Sequence, residues 1–185
     1  GWGRVSLENM LLQAPASDRG PKIFSDQRHA FTADGQEHSI RVAPVDTGRA
    51  MRITLVWTDA PGAVNANPAL VNDLDLEVRE EATGNIYKGN VFANGFSTTG
   101  GDFDHLNNVE CVYIEHPSGI YEITIIAYNI RRSARPDIAT PWQDFALVID
   151  NAEVPAAAPV SVVPIIDRSG SMVGSGYVDI TKTSS

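Results

Sequence analysis

Apolar and polar residues alternate in short runs from about residue 23 to residue 150 of this chain. Alternation with a period of two is typical of antiparallel strands that bury one face, and no helical pattern of ten or more residues interrupts it. Clusters of Gly, Pro, Asn and Asp separate the runs, as turns require. The predicted strands are 23–24, 38–42, 51–57, 74–78, 109–116, 121–128 and 145–149. The pattern therefore predicts an all-β fold, an antiparallel β-sandwich.

The two ends of the chain differ from this central part. Residues 5–13 carry apolar side chains at helical spacing and predict a short helix that ends before Pro15. So short a helix is marginal alone, so we expect its apolar face to pack on a larger body upstream. Residues 15–22 and 151–160 are rich in Pro and small residues and predict linkers. The apolar run 160–166 then predicts the first strand of a further, truncated element in an extended tail, 161–185.

Composition narrows the classes of partner. The chain has 185 residues, a formal net charge of -9 and a pI near 4.8, which leaves no basic surface for nucleic acid or an anionic membrane. A single cysteine, Cys111, excludes an internal disulfide and lies in an apolar run, so we expect a buried thiol. No apolar run is long enough to span a bilayer. The chain begins without Met, and we expect it to be a segment of a longer polypeptide.

Peptide-bond or ester hydrolysis by a serine nucleophile requires a Ser, a His base and an acid that orients the His. The chain has four histidines, which we expect on exposed strand edges and loops: His29, His38, His105 and His116. It has no G-x-S-x-G motif, and the glycine-rich segment 95–101 has no helix after it. The sequence therefore predicts no catalytic triad in this chain.

Two acidic segments suggest cation binding. Asp73 and Asp75 share one face of a predicted strand, and carboxylates about 6 to 7 Å apart repel each other unless they are solvated or bridged by a cation. Asp104, Asn107 and Asn108 follow in one loop. Calcium takes six to eight oxygen ligands from such groups. Asx turns that cap strand ends explain the same residues without an ion, and the spacing does not decide between the two.

The tail contains the most specific short motif. Asp167, Ser169 and Ser171 follow a β-branched strand, and a carboxylate with two hydroxyls in a loop can face one Mg²⁺ or Mn²⁺ ion. Further ligands must come from other loops, so the isolated stub is expected to bind metal poorly. A Ser/Gly-rich linker is the alternative interpretation.

Several segments together resemble a known family. Residues 1–7, GWGRVSL, look like the segment that opens the last helix of the subtilisin-like catalytic domain. Six further segments resemble, in the same order, the jelly-roll β-sandwich that follows that domain in the oxidatively stable alkaline subtilases. They are RITLVWTDAPG at 52–62, ALVNDLDL at 69–76, YKGN at 87–90, NNVE at 107–110, GIYEITI at 119–125 and QDFALV at 143–148.

This resemblance implies a domain order and a function. Residues 1–14 would end a catalytic domain, residues 23–150 would form a jelly roll, and the parent would be a secreted endopeptidase whose triad lies upstream. Calcium in the sandwich is implied for the matching Asp73, Asp75, Asp104, Asn107 and Asn108. The tail resembles the first strand and metal-ion-dependent adhesion site of a von Willebrand factor A domain, in which Asp167, Ser169 and Ser171 would bind magnesium or manganese.

Two functions from different classes remain, beside a third, part of an adhesin, that rests on the tail alone. The first is a non-catalytic accessory sandwich that stabilises or orients the protease domain of the same polypeptide, which is the partner that the resemblance implies. The second is a recognition module for a carbohydrate or a protein, because jelly rolls carry many unrelated sites. Exposed aromatic side chains among Trp57, Tyr87, Tyr128 and Trp142 would favour the second.

Overall fold

The computed structural model describes residues 22–156, and every regular element in this part of the chain is a β-strand. The strands are β1 (Lys22–Phe31), β2 (Glu37–Pro44), β3 (Met51–Val56), β4 (Asp73–Glu80), β5 (Ile86–Ala93), β6 (Phe96–Thr99), β7 (Val109–Ile114), β8 (Tyr121–Asn129), β9 (Gln143–Asp150) and β10 (Ala152–Glu153). No helix within residues 22–156 is long and apolar enough to cross a membrane.

These strands form two antiparallel sheets that face each other as a sandwich. One sheet has the order β1-β9-β3-β7, and the other has the order β10-β2-β8-β4-β5-β6. The first four strands alternate between the sheets along the chain, and each sheet interleaves early strands with late ones. Four strands in the order β1-β9-β3-β7 opposite β2-β8-β4-β5 are the double Greek key of a jelly roll.

Alternate residues of both sheets fill the space between them. The largest fully buried apolar side chains are Met51, Ile53, Leu55, Leu74, Leu76, Tyr121, Ile123, Ile125, Leu147 and Ile149. Each such side chain stabilises the fold by about 1.5 to 3 kcal/mol relative to leaving it exposed. Cys111 is a buried free thiol, as predicted, so packing holds this sandwich together without a disulfide.

The open edge of β7 is covered by side chains from β5 and β6. Asn90 accepts a hydrogen bond from the Cys111 backbone N–H at 3.0 Å and donates one to the Val109 carbonyl at 2.8 Å. The Ser97 hydroxyl accepts from the Tyr113 backbone N–H at 2.9 Å. Because unpaired edges recruit other chains, these amide and hydroxyl groups protect the sheet as well as closing the sandwich on this side.

Asn72, the residue before β4, ties several loops together at one end of the sandwich. Its Oδ1 accepts from the backbone N–H groups of Arg131 and Arg132, at 2.9 and 3.1 Å. Its Nδ2 donates to the Arg132 carbonyl and to Gln143 Oε1, both at 2.8 Å. Its own backbone N–H donates to Asp59 Oδ1 at 2.8 Å. One fully buried amide therefore fixes the loop 131–142 to β4 and β9.

The structure confirms the all-β, antiparallel sandwich. The predicted strands at 38–42, 51–57, 74–78, 109–116, 121–128 and 145–149 fall on β2, β3, β4, β7, β8 and β9, and 23–24 is part of the longer β1. The sequence pattern did not predict the hairpin of β5 and β6, and β6 lies within the glycine-rich segment 95–101. Its Asn94-Gly95 turn has φ values of 53° and 88°, as a two-residue hairpin turn requires. The helix predicted over 5–13 and the tail 161–185 lie outside the described residues.

Candidate metal centre

Asp73 and Asp75 of β4 lie on the face of the strand opposite the core. Leu74 and Leu76 alternate with them and fill the sandwich, because successive side chains of a strand point to opposite faces. The two carboxylates are nevertheless buried, with side chains only 7% and 3% exposed. His105, from the loop before β7, lies against both of them, so the sheet face and this loop together enclose the pair.

The imidazole of His105 brings three potential ligand atoms into one cluster. Its Nδ1 lies 2.8 Å from Asp73 Oδ2 and 3.7 Å from Asp75 Oδ1. One ligand atom from each of the three residues lies within 4.8 Å of the others. Tyr128, the extra residue where β8 bulges opposite Asp73 and Leu74, stacks on the imidazole with ring centroids 4.3 Å apart. The stack restricts the rotation of the histidine ring.

The carboxylates of this cluster are incompletely satisfied. Asp73 Oδ1 and Asp75 Oδ1 are buried and accept no hydrogen bond from the described residues. Burial, together with the negative charge of Asp73, raises the pKa of Asp75 to about 6. Burial also raises the pKa of Asp73, although the hydrogen bond from His105 opposes that shift. Two buried acidic oxygens without donors favour a bound cation, since an unpaired buried charge is costly.

The Asp104 carboxylate is engaged in hydrogen bonds, mostly within its own loop. Its carboxylate accepts from the Asn107 and Asn90 side-chain amides, at 2.7 and 2.6 Å, and from the Leu106 backbone N–H at 2.9 Å. Burial alone raises the pKa of Asp104, but these hydrogen bonds outweigh burial and the pKa is lowered. Asn108 donates from Nδ2 to the Trp57 carbonyl at 2.8 Å. Asp104 thus makes the Asx turn that the alternative to calcium binding expects, with Asn107 as a second donor, whereas Asn108 bonds the residue after β3.

Glu110 is a buried acid that links the two sheets. Its Oε2 accepts from the backbone N–H of Leu76 at 2.7 Å, where β5 no longer pairs with β4. Burial raises the pKa of Glu110 to about 9, so the carboxyl is protonated at neutral pH. The backbone of Gly89 lies against the Glu110 side chain. A Cβ at position 89 would come within 2.1 Å of Glu110 Oε2. Glycine is therefore required opposite this side chain.

The predicted site residues within residues 22–156 thus fall into two groups. Asp73 and Asp75 lie together with His105, which the sequence pattern did not indicate as a ligand. Its position in the loop of Asp104 was the only signal for it. Asp104, Asn107 and Asn108 instead bond within their loop and to Trp57. The calcium ligand set stays a prediction, and the magnesium ligands Asp167, Ser169 and Ser171 lie outside the described residues.

The aromatic residues proposed as recognition groups differ in exposure. Trp57 is 3% exposed and belongs to the core, while Tyr128 is 56% exposed. Trp142 is half-buried, with the Arg135 guanidinium 5.2 Å from its ring centroid, and Tyr87 is half-buried against the core. Burial removes Trp57 from the recognition hypothesis, and Tyr128 is the aromatic residue that still supports it.

Comparison with known proteins gives a limited relationship. No protein-family model matches the chain. Over 154 residues, 80% of the chain, it is 31% identical to the serine protease/ABC transporter B family protein tagA of Dictyostelium discoideum. The chain spans only 8% of the length of that relative. The chain is therefore related to one part of a much longer protein whose name includes a serine protease.

Proposed function

We propose that this chain contains a non-catalytic accessory β-sandwich of a secreted, subtilisin-like serine endopeptidase. The observation that carries the proposal is the similarity of most of the chain to part of a relative whose name includes a serine protease. The jelly-roll topology agrees with the sandwich that the subtilase resemblance implies. The partner of the module is then the protease domain of the same polypeptide, and its role is to stabilise or orient that domain.

The described histidines support a non-catalytic role, because three of the four are engaged in other contacts. His29 stacks on His38 with ring centroids 3.8 Å apart, and His105 contacts Asp73 and Asp75. A triad needs a histidine that takes a proton from serine. In this proposal the triad belongs to the upstream domain, and the tail with Asp167, Ser169 and Ser171 begins an adhesion-type module.

A divalent cation at Asp73 and Asp75 is part of the same proposal. Calcium is the ion that the subtilase resemblance implies for the sandwich. A cation bound there holds β4 to the loop of His105, because both contribute to the cluster. Since an ion that binds only the folded state stabilises it, the module would be most stable where that ion is abundant.

Two assays test the accessory role. The purified 185-residue chain should release no peptides from casein, and hydrolysis that a serine-protease inhibitor abolishes would contradict the proposal. In the intact parent, deletion of residues 22–156 should shorten the half-life of protease activity at elevated temperature and leave the active-site titration of the surviving enzyme unchanged. An unchanged half-life would contradict a stabilising role for the module.

A further inference from the structure

The cluster of Asp73, Asp75 and His105 has a donor set that differs from a calcium site. It offers one imidazole nitrogen and two carboxylates, with Nδ1 turned toward both acids at 2.8 and 3.7 Å. Calcium takes six to eight oxygen ligands, whereas imidazole nitrogen suits zinc and other transition metals. The type of donor therefore selects the class of ion.

The neighbouring Asp104 carboxylate is already hydrogen-bonded on both of its oxygens. The Asp104 carboxylate accepts hydrogen bonds from Asn90, Asn107 and the Leu106 backbone, and Asn108 donates to the Trp57 carbonyl. Turning the Asp104 carboxylate toward an ion would cost hydrogen bonds that hold the loop of His105. The arrangement leaves three protein ligands, the number found in open zinc sites whose remaining position is taken by water.

The buried oxygens point to a missing partner independently of the histidine. Asp75 has a side chain only 3% exposed, and its Oδ1, the atom nearest His105, accepts no hydrogen bond from the described residues. Asp73 Oδ1 is also buried and accepts no hydrogen bond from the described residues. Lys88 is the nearby cationic side chain, but its Nζ donates to the Gly101 carbonyl at 3.0 Å and lies 4.5 Å from the centre of the Phe103 ring.

We infer that Asp73, Asp75 and His105 bind a zinc-class transition-metal ion in preference to calcium. The inference rests on the proposed function, because it names the ion class of the cation site proposed there. The ion lies between His105 Nδ1 and the facing oxygens of the two carboxylates, with water completing its coordination. Tyr128 stacks on the imidazole and orients it toward the ion.

Metal titrations of the full 185-residue chain test this assignment. Co²⁺ should produce the visible absorption of a four-coordinate site, Zn²⁺ should abolish it by displacement, and Zn²⁺ should bind at least about 100-fold more tightly than Ca²⁺. His105→Asn should remove the Co²⁺ spectrum, and the matched control His116→Asn, at an exposed histidine, should retain it. Circular dichroism checks that both variants are folded.

The possible results separate the ion class from the accessory role. Tighter binding of Ca²⁺ than Zn²⁺, or a Co²⁺ spectrum unchanged in His105→Asn, would overturn the zinc-class assignment and leave the accessory role standing. If His105→Asn does not fold, X-ray absorption at the zinc edge of the wild-type chain decides the matter. One imidazole and carboxylate or water oxygens are expected, and an all-oxygen shell, or no bound zinc, would overturn the inference.

Discussion

Replacing Asn72 with alanine should lower the free energy of unfolding by about 3 to 5 kcal/mol, from four lost hydrogen bonds and the buried partners left without them. Asn72 is fully buried, and its side-chain amide forms hydrogen bonds with Arg131, Arg132 and Gln143. Two backbone N–H groups, the Arg132 carbonyl and the Gln143 side-chain oxygen would lose their partners together. Urea denaturation of wild type and variant, followed by fluorescence, measures the difference.

Asn94→Gly is the matched control for this substitution. Asn94 is an exposed asparagine with a φ of 53°, a backbone conformation that glycine adopts without strain. We expect the control to change the free energy of unfolding by less than about 0.5 kcal/mol, as surface substitutions do. A loss below about 1 kcal/mol in Asn72→Ala would show that the loop 131–142 is not fastened through this amide.

Raising the pH from 5 to 9 in the presence of chelator should destabilise the sandwich. The folded pKa of Glu110 is raised to about 9 from an ordinary value of 4.5, so the unfolded chain releases this proton at much lower pH. The stabilisation is complete below the unfolded pKa and is lost as the pH rises through the folded one. Asp75, raised to about 6, acts in the same direction at lower pH.

Glu110→Gln should remove the part of this dependence that lies between pH 7 and 9. Glutamine is uncharged throughout, and its carbonyl can still accept the hydrogen bond from Leu76. One titrating group contributes at most about 1.4 kcal/mol per pH unit, so the wild type should lose up to about 3 kcal/mol over this range and the variant far less. Urea denaturation at pH 7, 8 and 9 measures the free energy of unfolding of both proteins. The same dependence of this free energy on pH in wild type and variant would contradict a buried, protonated Glu110.

The strands were predictable because local alternation follows the burial of one face. Residues 51–57 and 121–128 show this directly, with Ile53, Leu55, Ile123 and Ile125 all fully buried. The β5–β6 hairpin was harder to predict, since Gly89 lies within β5 and breaks its alternating pattern for a reason that lies in the other sheet. In the sequence, a glycine at this position indicates a loop. Its role of making room for Glu110 is visible only when the two sheets are packed together.

The candidate site was predictable only where it depends on one strand. Asp73 and Asp75 share a face because they are two residues apart in β4. His105 lies 32 residues from Asp73 and reaches it only when the loop before β7 folds over the sheet. Asn107 and Asn108 are in the same loop, but their amides turn to Asp104 and Trp57. Sequence spacing does not indicate whether these side chains bind an ion or form hydrogen bonds with the protein.

The midpoint of thermal unfolding of the 185-residue chain, in chelator and with added divalent cation, most directly tests whether the sandwich is built around a cation site. We predict a rise of about 5 °C or more with saturating zinc or calcium, because a tightly bound ion stabilises the folded state alone. The double variant Asp73→Asn/Asp75→Asn should have a midpoint that does not respond to metal. A wild-type midpoint that is the same in chelator and in both metals would contradict the account.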